Sequence, residues 1–514
     1  MNKSTPYRYP WRLLGLCLAT GCASGIWIYG FRYLAHTVSH WSHQLYLAAQ
    51  SSPIWLPVLA LGCALLGVIA GFFWKHVPEC RGGGIPTAIA TLRGLAPIRW
   101  AKTALTLFPA ALITYLGGVP LGTEGPSVQM GTAIGRGAMR CFGRSTPAWD
   151  RYVMTGGACA GFAAATGAPV TGIFFAFEEA HRRLTPLIFT ATSLTVLAAT
   201  ITSQLLHGWM GTSPALIHLG PLPTMPLSQA WIAPVIGGLC GLVAALFNRC
   251  FARVRHWVQE HPSRLHPRST IVVAFLLTGL CGWFYTDFTG SGLELTQKLL
   301  TDQPLWLLLV LFFAVRGALL MLSNNAGVTG GLFVPTLAFG ALLGSLCTRL
   351  AIALGWLPGE MSALGVILGM VCFLGASSHI PFSAILFSVE VLGCYGNILP
   401  VALAVCAAHL VMHHLGGEDL TEVVVEGKVR SQTNGRSLQA VEAKLRVCEN
   451  SFADGKEIRD IFWPPSCTVV AIYKNGVRQH RSLLCAGDSL QVIYQTYDKA
   501  QTHQLLEELV GSQG

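Results

Sequence analysis

Three segments combine glycines with a proline just ahead of an apolar run: Gly82-Gly83-Gly84-Ile85-Pro86, Gly122-Thr123-Glu124-Gly125-Pro126 and Gly330-Gly331-Leu332-Phe333-Val334-Pro335. Proline suits the first turn of a helix, and glycine lets bare backbone amides approach a ligand. Each segment is therefore predicted to open a helix whose free amides and positive dipole end attract an anion without a full positive charge. A lysine in that place would hold the anion too long for rapid transport. Gly and Pro are common in membrane helices in any case, so one such segment decides little. Three together point to an anion pathway.

Glu124 stands inside the second segment, where its carboxylate can occupy the amide cluster that attracts the anion. Protonation would remove that competitor, so one residue can serve as gate and proton carrier. The alternative is a carboxylate that only caps the helix start. An ionisable group among Gly and Pro at membrane depth is costly, which favours function. Glu178 and Glu179 close an apolar run that begins at Pro169, roughly 15 Å along a helix, and His181-Arg182-Arg183 follows. Adjacent residues cannot share a helix face. One of the two is expected to face a buried proton route and the other to hold a structural ion pair.

A bilayer must hold the elements that position these groups. The chain has 514 residues, 52% hydrophobic and 11% charged, with a mean hydropathy of +0.52, a balance that excludes a water-soluble globule. Uncharged runs at Ile54–Trp74, Ala104–Val119, Leu187–Leu206, Trp231–Phe247, Ile271–Tyr285 and Leu305–Phe313 are candidate spans. Several are shorter than the roughly 20 residues an upright span needs, so tilted and half-length helices lining a cavity are expected. The net charge of +10 does not gather into a basic stripe with interleaved aromatics, which argues against nucleic acid. Basic residues instead flank apolar runs and place both termini in the cytoplasm of a multi-pass inner-membrane protein. Ala19-Thr20-Gly21-Cys22 has the outline of a lipoprotein cleavage site, but the apolar run continues through Trp27 and Tyr29, so an uncleaved first helix is expected. The 16 cysteines contain no Cys-x-x-Cys pair. Those inside apolar runs, Cys17, Cys63, Cys159, Cys240, Cys281, Cys372 and Cys406, are expected to be small packing residues, and no metal or cofactor is implied.

The membrane body carries an internal repeat. The segment from Gly122 to Gly131 has a partner in Gly330 to Gly340, and Ala168 to Glu179 matches Ile380 to Val391. Paired Gly/Pro-interrupted segments in two halves point to a transporter with its site at the repeat interface. The halves run from about 10 to 215 and from 225 to 420, within a transmembrane domain over 1–420. Residues 421–435 are expected to be a linker, and 436–514 a small α+β domain. In the tail, Val441 to Val447 alternates, Gly455 to Ile461 is predicted helical before Trp463-Pro464-Pro465, and Val469–Tyr473 precedes an Asn475-Gly476 turn. Leu490, Val492 and Tyr494 alternate, and Tyr497–Val510 is an amphipathic helix. An intramembrane hydrolase is the reading from another class, but no His-Glu-x-x-His occurs and Ser377-Ser378-His379 is the polar end of a helix before Pro381.

Gly82 to Pro86, Gly122 to Pro126, Gly172 to Glu179 and Gly331 to Pro335 resemble, in order, the four signature segments of the CLC chloride channel and transporter family, within a match over about residues 10 to 425. The resemblance implies an all-α polytopic membrane protein, a CLC-like inverted-repeat bundle of tilted and half-length helices working as a homodimer with one pore per subunit. It implies no enzyme activity, but chloride transport with protons as the coupling ion. Gly83, Gly84, Ile85, Gly125, Leu332 and Phe333 fall at its anion-binding positions, with coordination by the amides of Leu332 and Phe333. Glu124 matches the external gating glutamate and Glu179 the internal proton glutamate, a position where channel members usually carry an apolar residue. An uncoupled or voltage-gated channel of the same fold is the alternative, and the form of Gly82 to Pro86 speaks against a fluoride-specific exporter.

Three positions depart from the family. Its central anion-binding serine falls on Gly83, the Arg or Lys preceding the gate is Thr123, and the pore tyrosine falls on Thr421. A weaker, more solvent-open and less selective central site is expected. Residues 436 to 512 resemble the TrkA-C regulatory domain of potassium-transport regulators, which implies a dimerising domain that senses a small ligand. A folded appendage that aids assembly is the other reading.

Overall fold

The computed structural model describes residues 11–82, 84–142, 147–182, 184–217, 219–261, 267–302, 304–432, 439–464, 467–496 and 499–511. The first half of the membrane body contains α1 (Trp11–Gln50), α2 (Trp55–His76), α3 (Ile85–Leu92), α4 (Trp100–Leu116), α5 (Glu124–Phe142), α6 (Pro147–Thr166), α7 (Pro169–Phe175) and α8 (Pro186–Met210). The second half contains α9 (Ile232–Glu260), α10 (Pro267–Phe284), α11 (Leu293–Thr301), α12 (Trp306–Ala326), α13 (Phe333–Ala353), α14 (Ser362–Ser377), α15 (Pro381–Glu390), α16 (Ile398–His414) and α17 (Leu420–Gln432). The tail consists of β1 (Gln439–Arg446), β2 (Thr468–Lys474), β3 (Val477–Gln479), β4 (Ser489–Thr496) and α18 (Lys499–Val510).

Eight helices among the described residues are long and apolar enough to cross a membrane. Between them lie half-length helices, α3 with 8 residues, α7 with 7 and α15 with 10, whereas the short runs at 104–119, 271–285 and 305–313 fall in the longer α4, α10 and α12 of 17, 18 and 21 residues. α1 runs unbroken past Cys22, and its Gly21 and Gly25 seat against the backbone of α8, so the first apolar run is an integral part of the body. The two halves use the same packing device. Gly131 and Gly135 of α5 face Gly157 and Gly161 of α6, and Gly340 and Gly344 of α13 face Gly365 and Gly369 of α14, at contacts where a Cβ would meet the opposite backbone or, at Gly365, the Thr348 side chain. Close approach of small residues holds helices together where lipid offers no hydrophobic drive.

Arg316 of α12 is 1% exposed and donates to the carbonyls of Asp287, Thr289 and Gly290 at 2.8, 2.8 and 2.7 Å, which satisfies a charge that burial would otherwise penalise. Of the cysteines expected to pack inside, Cys17, Cys63, Cys159, Cys240 and Cys372 are buried, Cys281 is half-buried and Cys406 faces outward. An apolar environment outside the bundle accepts a thiol as readily as the core does.

The stretch expected to be a linker is helical through Gln432, because Val424, Val425 and Val429 of α17 pack into the body. The tail forms one antiparallel sheet of order β1-β4-β2-β3. Asn475 and Gly476 turn β2 into β3 with φ of 51° and 83°, the left-handed geometry of a tight hairpin. Leu445, Leu490, Val492 and Tyr494 form its core with Leu506 and Val510 of α18. Gly455 to Ile461 is not an α-helix. Only a 3₁₀ turn at Ile458–Asp460 forms, since Gly455 sits at φ 74° and the stretch is too short to repay helix nucleation.

Candidate functional site

The glycine-led segments meet. Gly122 and Gly331 exchange backbone hydrogen bonds, N–H to carbonyl at 2.8 and 2.7 Å, so the repeat partners lie across a local two-fold. A Cβ on Gly125 would stand 2.6 Å from Gly331 Cα and 2.9 Å from Gly84 Cα, which places the starts of α3, α5 and α13 in backbone contact. Gly84, at φ 111°, takes a conformation that side-chain-bearing residues rarely adopt. The leading amides of these helices lack an acceptor one turn back and can serve an anion, except that of Gly84, which donates to Gln129 Oε1 at 2.9 Å. Ile85 and Phe333 are both 6% exposed. The Phe333 ring is fixed edge-on to Phe162 and Phe387, with centroids 5.1 and 5.4 Å away, while Leu332 precedes it at the cap of α13. Gly83 lies outside the described residues.

Glu124 is completely buried. Its Oε1 accepts from the Thr123 hydroxyl at 3.1 Å. Its Oε2 has no hydrogen-bond partner among the described residues and stands where a Cβ on Gly122 would come within 2.6 Å of it. The carboxylate is thus folded back over the glycine junction. Thr123 leaves this place without the cation usual in the family, but Arg32 of α1 stands within Coulombic reach of Glu124. Arg32 also lines a cavity of about 240 Å³ with Thr200, Ser203, Gln204, His207 and Glu390.

The second acidic pair sits where α7 gives way to a single π-turn, Ala176–Ala180, a distortion frequent at functional sites. The turn separates the two carboxylates. Glu179 is 5% exposed and accepts from the Thr421 hydroxyl at 2.9 Å. That bond commits the only hydroxyl proton of Thr421, which leaves the side chain no donor for an anion. Among the described residues Glu178 makes no ion pair. Its two oxygens take the amides of Phe382 and Ser383 at 2.8 and 2.7 Å, capping α15. Glu390, at the end of α15, returns the arrangement by taking the amides of Val170 and Thr171 at 2.7 Å each, capping α7. The ion pair expected for Glu178 is absent because a helix N-terminus with unmet amides is the nearer partner. Glu178→Ala should cost about 1–2 kcal/mol of stability, read as a lowered melting temperature in detergent, and Glu390→Ala should cost a similar amount.

Sequence reasoning missed several supporting residues. Glu390 aligns with Glu178 in the internal repeat, so the repeat itself carried its signal. Gln129, a buried amide five residues after Glu124, accepts from Gly84 N at 2.9 Å and donates to the Glu79 carbonyl at 2.8 Å, tying α5 to the loop before α3. Arg93 pairs with Glu422 at 2.7 and 2.9 Å and donates to the carbonyls of Ala180 and Glu179 at 3.3 and 3.4 Å. Arg182 pairs with Asp419 at 2.7 Å. The Glu179 turn is therefore held to α3 and to the start of α17, by contacts that no local pattern announces.

Known proteins resemble the chain over the membrane body. The chain is 29% identical over 419 residues to the H(+)/Cl(-) exchange transporter ClcA of Klebsiella pneumoniae subsp. pneumoniae, across 80% of this chain and 85% of that protein. It is 27% identical to a slow cyanobacterial Cl-/H+ antiporter of known crystal structure, with a TM-score of 0.73, covering 83% of this chain and 99% of that one. A CLC-type fluoride/proton antiporter shares the fold at 22% identity and a TM-score of 0.63, covering 79% of this chain and 96% of that one. The sequence profile described as voltage gated chloride channel matches residues 66–413. Converging helix starts, a buried glutamate over them and a family match across the same residues lead to one assignment: the chain belongs to the voltage gated chloride channel, or CLC, family.

Proposed function

We propose that this protein is a proton-coupled chloride antiporter of a bacterial inner membrane, with both termini in the cytoplasm. The observation that carries the reading is the pair of buried carboxylates: Glu124 over the joined starts of α3, α5 and α13, and Glu179 at the end of α7. In this reading Glu124 competes with the anion for the amide cradle, leaves it when protonated, and exchanges its proton with the cytoplasm through Glu179. The amides of Ile85, Gly125, Leu332 and Phe333 hold the anion, while that of Gly84, expected among them, is taken by Gln129 Oε1 at 2.9 Å. The names of the exchanger relatives support the same activity.

The test is proton movement in liposomes loaded with chloride, under an outward chloride gradient, a clamped voltage and no imposed pH difference. Uphill, chloride-dependent proton movement is expected. Anion flux without protons would overturn antiport and leave an uncoupled channel.

Gly83 and the committed hydroxyl of Thr421 leave the central site short of side-chain donors, which supports relaxed anion selectivity. Gly83→Ser should narrow the selectivity, raising chloride preference over nitrate by about threefold or more, the worth of one hydrogen bond. Anion competition in the flux assay measures it, and strong chloride preference already present without the substitution would refute the idea.

In this reading the protein works as a homodimer. The tail serves in this reading as a dimerising, ligand-sensing domain of the TrkA-C type.

A further inference from the structure

The tail contributes a side chain to the turn that carries Glu179. In the segment Ile461-Phe462-Trp463, Ile461 and Trp463 belong to the apolar core of the tail. Phe462 between them points the other way and belongs to the core of the membrane body, where it is 4% exposed. Its ring fills a seat made by α6 and by the residue that ends the π-turn. The Arg151 guanidinium lies 3.9 Å over the ring and donates to the Phe462 carbonyl at 3.1 Å. Tyr152 stands 5.7 Å away, and His181 meets the ring edge-on at 4.3 Å and 83°.

His181 is two residues beyond Glu179, and its amide donates to the Ala176 carbonyl at 3.1 Å, closing the turn. Its Nε2 lies 2.7 Å from the Thr155 hydroxyl, which donates to the Arg151 carbonyl at 2.7 Å. The hydroxyl has one proton to give, so Nε2 is the donor in this pair. The ring is then held by Thr155 on one side and by Phe462 on the other. Trp463 anchors the wedge from the tail, its Nε1 donating to the Ile458 carbonyl at 2.9 Å.

The Glu179 turn thus has two supported edges. Thr421 and the Arg93–Glu422 pair hold one, and the tail holds the other through Phe462 and His181. We propose that Phe462 is a positioning residue for proton transfer at Glu179, and that docking of the tail is required for full coupling of protons to anions. This inference rests on the reading of Glu179 as the inner proton station. Its physical basis is that a carboxylate relays protons only when held in one geometry, and an aromatic wedge against His181 removes the freedom of the turn on its open edge.

The experiment uses the full chain in liposomes, with proton and anion fluxes recorded separately. Phe462→Ala should lower the proton-to-anion flux ratio about threefold to fivefold, the scale of one lost aromatic contact, while anion flux stays within about twofold. Phe462→Tyr, which keeps the ring, should restore the ratio. If Phe462→Ala does not purify as a folded protein, Phe462→Leu, which keeps much of the volume without the ring, replaces it. Val477→Ala on exposed β3 should leave both fluxes unchanged. An unaltered ratio, or a parallel fall of both fluxes, would overturn the proposal. Glu179→Gln in the same assay separates the two levels. If it lowers the ratio and the Phe462 variants do not, the inference fails alone; if it leaves the ratio unchanged, the reading of Glu179 fails.

Discussion

Glu124→Gln should abolish proton movement while leaving a path for anions. The substitution keeps the shape and the acceptor oxygen that Thr123 approaches at 3.1 Å, but removes the site at which a proton is carried. The proton flux should fall by about a hundredfold or more, the usual scale for deleting a proton-transfer group. Anion flux should persist and lose its dependence on pH, because a neutral amide competes for the cradle equally at every pH. Paired proton and anion fluxes at two pH values measure both effects. Retained proton coupling would show that Glu124 is a capping carboxylate and that the proton travels elsewhere.

Glu179→Gln separates protons from anions in a different way. Glu179 lies off the anion cradle, against Thr421 on α17 rather than against the starts of α3, α5 and α13. The anion pathway should therefore conduct within about twofold of the unmodified protein, since no group in contact with the anion changes. Coupled proton movement should drop by about tenfold or more, because proton exchange between Glu124 and the cytoplasm loses its buried relay. A glutamine still accepts from Thr421, so the π-turn keeps its support and a change in fold cannot mimic the result. An equal loss of both fluxes would instead place Glu179 among the groups that hold the anion path open.

The two substitutions differ in what they leave behind. With Glu124 replaced, the gate itself is neutral and anion flux ignores pH. With Glu179 replaced, Glu124 still titrates from its own side, and pH should continue to modulate anion flux. That contrast is sharper than either loss alone.

The local features of this protein are written in local sequence. Glycine and proline set backbone conformation at their own positions, so the three helix starts, the half-length helices and the Asn475-Gly476 hairpin follow from residue type and short-range spacing. Hydropathy sets the compartment in the same way, and the repeat places corresponding parts in two halves. Even Glu390 was legible through its alignment with Glu178.

The tertiary structure decided which of these parts touch. That Gly84, Gly125 and Gly331 share one junction, that Glu178 caps α15 instead of pairing with a cation, and that Thr421 spends its hydroxyl on Glu179 are contacts between residues far apart in the chain. Periodicity describes which face of an element is apolar, but carries no register between elements. A buried polar group takes whichever partner the packing brings within hydrogen-bond reach. Phe462 shows the same limit most plainly. In the sequence it is one apolar residue in Ile461-Phe462-Trp463, and only packing turns its ring out of the tail and onto His181.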